Sequence, residues 1–385
     1  MQFTIARDAL LAALAPGAAV TTKNDKAAPI LGFVRFDAST GEVAITGTNL
    51  MITMTRSAPC EVAKKGSMCL PANELEKIVG LMPAGDVRLE QRENTWVEVT
   101  SLAPRKKVSV KLRGQTSADF PEVATVPATK APPVSMKIAD LRMVLDAVLY
   151  SACKDAHRPH LGVVHIEHEY EGSGLHAVST DGHRLTHARA DLAFPVTGAQ
   201  GVNVPAHSLR RLLSALPEEG AVDVLLAPGY LVATSGPLRA VLKLGDQPFP
   251  AWRQIIPTSF EHTCTLARAD VAVMLARAET LAAAKTGSTT FEFSARDGSG
   301  ELAVSVDNPD QGAMRDSVSE GVALSGAGLK TCMNAVYIDE AIQHLPGDKI
   351  TFSMRGKVDA VHITGAGYVA DNGFAAIAIV MPMQS

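Results

Sequence analysis

The chain is poor in cysteine and aromatic residues, has no charge excess and no long apolar run, and each shortage removes a class of protein. Cys60, Cys69, Cys153, Cys264 and Cys332 are scattered over 385 residues, and no C-x-x-C occurs. An odd, dispersed set supports neither a disulfide framework nor a zinc ribbon nor a redox pair, so reduced thiols are expected. A formal net charge of −4 argues against a protein that coats nucleic acid through overall positive charge. Any DNA contact must then come from a local basic surface or from topology. No stretch approaches the roughly 18 unbroken apolar residues of a membrane span, so no membrane partner is expected. The first residues, MQFTIARDALL, put Arg7 and Asp8 inside the first apolar segment and offer no small-residue cleavage site. A cytoplasmic location is the expectation that follows.

Catalytic signatures are missing as well. There is no H-E-x-x-H, no G-x-S-x-G and no Walker A lysine loop, so neither catalysis nor a cofactor is expected. Cys153-x-x-x-His157-x-x-His160 has metal-like spacing, but these residues flank a helix end in an already sizeable domain. No metal is expected there.

What the chain does have is internal repetition. Pro71-Ala-Asn-Glu-Leu75-Glu-Lys-Ile78-Val79-Gly-Leu-Met82-Pro83 matches Pro205-Ala-His-Ser-Leu209-Arg-Arg-Leu212-Leu213-Ser-Ala-Leu216-Pro217. Both match Asn334-Ala-Val-Tyr-Ile338-Asp-Glu-Ala341-Ile342-Gln-His-Leu345-Pro346. Apolar residues at i, i+3, i+4 and i+7 predict one buried helix face, and a proline closes each segment. The copies are offset by about 134 and about 129 residues, a domain-sized period. An earlier helix recurs behind Phe3-Thr-Ile5, Met136-Lys-Ile138 and Thr265-Leu266. A strand ending in a polar turn recurs at Val43–Asn49, Leu175–Asp181 and Leu302–Asn308. Alternating strands recur at Val97–Thr100, Leu231–Thr234 and Val361–Thr364. The pattern predicts an α+β chain of three tandem domains, residues 1–126, 134–256 and 257–385, each with two helices packed on an antiparallel sheet. Pro127–Pro133 and the stretch around Pro248 to Pro257 read as connectors.

Ser179-Thr-Asp-Gly-His-Arg-Leu185, Phe249-Pro-Ala-Trp-Arg-Gln-Ile-Ile-Pro257, Asp307-Asn-Pro-Asp-Gln311, Val380-Met-Pro-Met383 and Pro29-Ile-Leu-Gly32 resemble the bacterial DNA polymerase III beta subunits, the sliding clamps. The resemblance spans the whole chain. It implies a DNA-clamp domain in each copy and a head-to-tail homodimer, a six-domain ring around duplex DNA. Such a ring is a processivity factor without chemistry, holding DNA topologically and non-specifically. Its implied partners are the DNA polymerase III alpha subunit, the clamp loader and repair polymerases, recruited through short peptide motifs. The alternative left open is a divergent clamp-like interaction protein outside main replication.

The resemblance also implies sites. A peptide-binding groove would comprise Leu161, Thr180, Gly182, His183, Arg184, Leu185, Pro250, Gln254, Ile255, Ile379, Val380, Met381, Pro382 and Met383. Leu, Ile, Val and Met suit a re-packable apolar surface, with His183 and Arg184 at its polar rim. Read without the family, the T-D-G-H turn simply closes a hairpin. DNA phosphates would be met by Lys23, Lys26, Arg142, Lys154, Arg158, Arg210 and Arg211, with Arg7, Lys77, Arg268 and Arg277 as further helix-borne candidates. The subunit interface would involve Arg105, Lys107, Val108 and Val110 on one chain, and Leu281, Asp310 and Asp316 on the other. Gln254, Pro159-His160, Arg315 and the final Gln384-Ser385 depart from the common family pattern.

Overall fold

The computed structural model describes all residues except 23–26, 105–106, 124, 130, 169–173, 196–200, 283–286, 297–298, 367–371 and 384–385. The threefold repeat is visible in the order of elements. The first copy runs β1 (Gln2–Ala6), α1 (Arg7–Val20), β2 (Phe33–Ser39), β3 (Glu42–Thr48), β4 (Ile52–Pro59) and β5 (Glu61–Lys64). It continues with β6 (Gly66–Pro71), α2 (Ala72–Gly80), β7 (Asp86–Gln91), β8 (Trp96–Ser101) and β9 (Ser109–Arg113). The second comprises β10 (Val134–Lys137), α3 (Ile138–Leu149), β11 (Val163–His168), β12 (Gly174–Thr180) and β13 (Arg184–Asp191). After these come β14 (Val202–Pro205), α4 (Ala206–Ala215), β15 (Ala221–Ala227), β16 (Tyr230–Ser235) and β17 (Leu238–Lys243). The third comprises β18 (His262–Ala267), α5 (Arg268–Leu281), β19 (Ser288–Arg296), β20 (Ser299–Asn308), β21 (Gly312–Val318) and β22 (Ala323–Ser325). It ends with β23 (Leu329–Asn334), α6 (Ala335–His344), β24 (Lys349–Met354), β25 (Val361–Ala366) and β26 (Ala375–Val380).

Each copy makes two half-sheets rather than the single sheet the pattern suggests. One carries the first, seventh, eighth and ninth strand positions; the other carries the sixth, second, third and fourth. The half-sheets then fuse between copies: β17 pairs with β4, and β26 pairs with β13. Two compact units result, Met1–Ala139 with His207–Leu244, and Asp140–Ala206 with Gly245–Ser385. The middle copy is shared between them because each of its half-sheets continues into a neighbouring copy's sheet.

Every described strand pair is antiparallel, and the predicted amphipathic helices appear as α2, α4 and α6. Leu75 and Val79 of α2 are buried with Phe3, Phe36, Ile45 and Leu89 in the core of the first copy. Asn334 caps α6, its Oδ1 accepting the N–H groups of Val336 and Tyr337 at 3.0 and 3.3 Å. All five cysteines are free, and burial pushes the Cys69 and Cys264 thiols up to about 12. No helix is long and apolar enough to cross a membrane among the described residues.

The stretch around Pro248 to Pro257 is more than a connector. Trp252 is buried there, and Phe249 packs onto the sheet. Beyond a short 3-10 turn at Trp252–Gln254 it forms no helix or strand, and its aromatics anchor it.

Glycine sets how closely α1 approaches its sheet. A Cβ at Gly47 would lie 2.1 Å from the Gly17 carbonyl oxygen, so backbone meets backbone there. Gly47→Ala should destabilise the first copy by about 1–3 kcal/mol through overpacking. Gly80→Ala, where an added Cβ meets nothing within 4 Å, should not destabilise it. Thermal melting of the two variants checks the contrast.

Candidate functional site

The β12–β13 turn is built by side-chain hydrogen bonds to its own backbone. Asp181 Oδ1 accepts the N–H groups of His183 and Arg184 at 3.0 and 3.1 Å. The Thr180 hydroxyl accepts the Gly182 N–H at 3.1 Å and donates to the Arg184 carbonyl at 2.6 Å. Gly182 sits at φ 91°, a conformation that glycine adopts at no steric cost. These bonds hold His183 exposed at the tip and start β13 at Arg184.

β13 pairs with β26 so that Leu185 faces Ile379 and Arg184 faces Val380. The Met381 N–H then donates to the His183 carbonyl at 2.9 Å, and the Met383 N–H to the Cys332 carbonyl at 2.8 Å. Leu185, Ile379, Val178 and Trp252 form one apolar cluster, with Phe249, Ile256, Ala360 and Ile377 against it. Ile255 and Met381 are 40 % and 43 % exposed, large apolar side chains offered to solvent beside buried neighbours. Pro250 and Pro382 are half-buried, Gln254 is exposed, and Leu161 is buried with its carbonyl accepting from the Cys153 N–H at 3.0 Å. Val178 and Trp252 are not among the residues assigned to the groove, although Trp252 stands within the Phe249–Pro257 motif and is one of only two tryptophans in the chain.

Arg184, expected at a polar rim, is also bound within the chain. Its guanidinium bonds Asp181, Glu340 and the Tyr150 carbonyl, and lies over the rings of Tyr150 and Tyr337. At 7 % exposure it braces the turn against α6.

Beneath Trp252 lies a polar layer. His187 Nε2 sits 2.8 Å from His176 Nδ1, and both rings pack on the indole. Burial first, then the neighbouring His176 and Arg253, lowers the His187 pKa to about 3. Glu167 is opposed by burial, yet bonds from His165 and Arg253 hold its carboxyl down at about 2.

Of the basic candidates, Lys23 and Lys26 lie outside the described residues. Arg210 and Arg211 are exposed on α4, and together with burial they lower the His207 pKa, burial contributing most. Arg211 and His207 line a cavity of about 1010 Å³ with Arg56, Asn73 and Glu76. Arg142 is half-buried on α3, and Lys154 is exposed just beyond that helix. Arg158 donates to the Asp181 carbonyl at 2.8 Å and to Asp155 at 3.3 Å, so its guanidinium is partly engaged within the chain. Lys77 is exposed on α2. Arg7, Arg268 and Arg277 bond the Met82 carbonyl, the Leu345 carbonyl and Asp316 respectively.

At the expected subunit edges, Arg105 lies outside the described residues and Lys107 is exposed. Val108 and Val110 pack partly onto the first copy's core. Leu281 ends α5 with its carbonyl bonded by Asn308 at 2.8 Å, and Asp310 is exposed in the turn before β21. Asp316 is already paired with Arg277 inside the chain. No group of three or more His, Cys, Asp or Glu is arranged to hold a metal among the described residues.

Family models match almost the whole chain: DNA polymerase III beta subunit N-terminal domain over residues 1–124, central domain over 135–251, and C-terminal domain over 253–383. A beta sliding clamp of Synechocystis sp. is 27% identical over 384 residues, covering 92% of each chain. The beta sliding clamp of Pseudomonas aeruginosa is 25% identical over 389 residues, covering 100% of each. Among solved structures, DNA polymerase III subunit beta from P. aeruginosa superposes with TM-score 0.87 at 24% identity, covering 100% of both chains. A sliding clamp from Bartonella birtlesii gives 0.89 at 23%, also covering 100% of both.

The buried histidine layer predicts acid sensitivity. Between about pH 3 and 6.5 the unfolded chain binds a proton that folded His187 refuses, so stability is complete above 6.5 and falls below it. Glu167, held at about 2 against 4.5, adds to the loss only below 4.5. Melting temperature should be flat above pH 6.5 and decline towards 4.5. His187→Gln should shrink that slope without abolishing it, because His207 and His362 are lowered too. An unchanged slope in the variant would contradict this assignment.

Proposed function

The chain belongs to the DNA polymerase III beta subunit family, non-catalytic DNA sliding clamps, and from this premise we propose that two copies close head to tail into a ring around duplex DNA. The observation that carries the ring is the identity of two of the strands that end sheets, β9 and β21. Inside the chain, the ninth strand position of one copy pairs twice with the fourth position of the preceding copy, as β17 with β4 and β26 with β13. The ninth strand of the first copy, β9, and the fourth strand of the third, β21, end their sheets. An exposed edge of this kind is a template for pairing, and two copies satisfy each other's edges with closure.

The internal junctions also supply the register. Val99, Ala233 and Ile363 are equivalent in the repeat, and they face Val110, Ala240 and Ala378. Gly47, Ser179 and Val306 are equivalent in turn, and they face Met54, Thr186 and Met314. Met54 pairs with Ala240 and Thr186 with Ala378, so Val110 of one subunit should face Met314 of its partner. Val108 then faces Asp316, Ser109 faces Arg315 and Lys111 faces Ala313. Lys107 follows on the same edge, the resemblance adds Arg105 from outside the described residues, and Leu281 and Asp310 flank the other. With Asp316 already paired to Arg277, apolar and backbone contacts carry more of this interface than charge.

DNA is held by enclosure, with Arg142, Lys154, Arg158, Arg210 and Arg211 meeting phosphates without reading bases, a role the resemblance also gives to Lys23 and Lys26, outside the described residues. The His183 turn, Leu161, Pro250, Gln254, Ile255, Ile379, Val380, Met381, Pro382 and Met383 receive short peptides of the polymerase III alpha subunit, the clamp loader and repair polymerases. Exposed Ile255 and Met381 beside the Leu185–Trp252 cluster support that reading. The work is cytoplasmic.

Val110→Cys combined with Met314→Cys should give a disulfide-linked dimer under mild oxidation, retained on nicked circular DNA and lost when the DNA is cut. A strict monomer at micromolar concentration, or equal retention on circular and linear DNA, refutes the ring.

A further inference from the structure

The sheet β5–β1–β7–β8–β9 buries one face against α1 and α2 through Leu89, Val97 and Val99. Side chains alternate along a strand, so Trp96, Glu98 and Lys111 stand on the other face. There they line a cavity of about 1240 Å³ with Lys64, Lys65 and Arg92. Trp96 is 41 % exposed, an indole offered to solvent among cations. The repeat does not require this composition. At the equivalent places the other two copies have Tyr230 and Ala360 for Trp96, and the buried Val241 and Ile379 for Lys111.

The turn that carries Trp96 is a costly one. Asn94 and Thr95 sit at φ 52° and 64°, and a β-branched residue is a rare occupant of that conformation. Bonds over-determine it: the Arg92 N–H donates to the Trp96 carbonyl at 2.7 Å, and the Gly114 N–H to the Thr95 carbonyl at 2.9 Å. The Arg92 guanidinium clasps Glu98 and Glu90 at 2.8 and 2.6 Å, and the Ser109 hydroxyl donates to Glu98 at 2.7 Å. The carboxylate opposite Lys111 is thus already occupied. Lys64, Lys65 and Lys111 form no ion pair among the described residues.

We propose that this cavity binds single-stranded nucleic acid, with one base stacked on Trp96 and the flanking phosphates on Lys64, Lys65 and Lys111. Free cations around one aromatic face are the chemistry of binding that tracks a backbone and tolerates any base. An acidic peptide is less well served, because Met1 is the only other large apolar side chain in the lining and an anchor residue finds no aliphatic pocket there. The site needs the first copy alone. It lies on the sheet face turned from α1 and α2, and it shares no residue with the groove or with the candidates for duplex contact. In the register proposed above, Lys111 lies opposite Ala313 of the partner, a side chain too small to cover it.

The test titrates the full-length chain at low salt with a labelled oligothymidylate of about 8 nucleotides, read by anisotropy and by tryptophan emission. Trp252 is buried, so quenching reports on Trp96. The oligomer should bind and quench. Trp96→Ala should weaken binding about tenfold, and Trp96→Phe should retain most of it. Lys64→Glu combined with Lys65→Glu and Lys111→Glu should weaken it about tenfold and flatten its salt dependence, with the melting temperature unchanged. Absence of binding by the unaltered chain overturns the proposal. So does binding that ignores Trp96→Ala but follows the lysines, which marks a plain polyanion site that polyglutamate fills equally well. Binding that ignores these variants and falls with Arg210→Ala and Arg211→Ala overturns it too, because it assigns the oligomer to the duplex surface.

Discussion

The architecture depends on one constraint: the ninth strand of a copy must find the fourth strand of another. Two such pairings are made within the chain, β17 on β4 and β26 on β13, each with five or six residues in register. They convert three small sheet pairs into long continuous sheets, and they leave β9 and β21 as complementary ends. A backbone ladder is indifferent to side-chain detail. This explains how a chain only 23–24% identical to the solved clamps of P. aeruginosa and B. birtlesii shares their fold.

Side chains decide what is hung on that ladder. At the junction of β13 and β26, the turn at Asp181-Gly182 and the tail at Met381 are locked to one another by the bond to the His183 carbonyl. The first junction repeats the device: Asn49 Oδ1 accepts the N–H groups of Met51 and Ile52, and the Lys243 N–H donates to the Met51 carbonyl at 2.8 Å. The two turns differ in chemistry, Leu50 standing at positive φ where the second copy has Gly182. The second junction adds the apolar cluster of Leu185, Trp252 and Ile379, and it is this difference between equivalent places that makes one junction a candidate groove.

The helices were legible in the sequence because their information is local. Leu75 and Val79, Leu209 and Leu212, and Ile338 and Ile342 lie on one face, and prolines follow each helix. The motif turns and the threefold order were legible for the same reason. The half-sheet fusions were not, since alternation along β4 or β17 says which face is buried and nothing about which strand lies beside it. The contacts of Arg184 within the chain were not legible, because Tyr150 and Glu340 lie far away in sequence. The segment from Pro248 to Pro257 was misjudged because prolines signal a connector, while Phe249 and Trp252 reveal their burial only in three dimensions.

The central claim is that β9 and β21 are partners waiting for a second chain. Amide hydrogen exchange at Ser109–Arg113 and Gly312–Val318, followed across protein concentration, tests it most directly. The account predicts protection of both strands at micromolar concentration and joint loss of that protection on dilution. Exchange at these two edges that is fast and independent of concentration would contradict it.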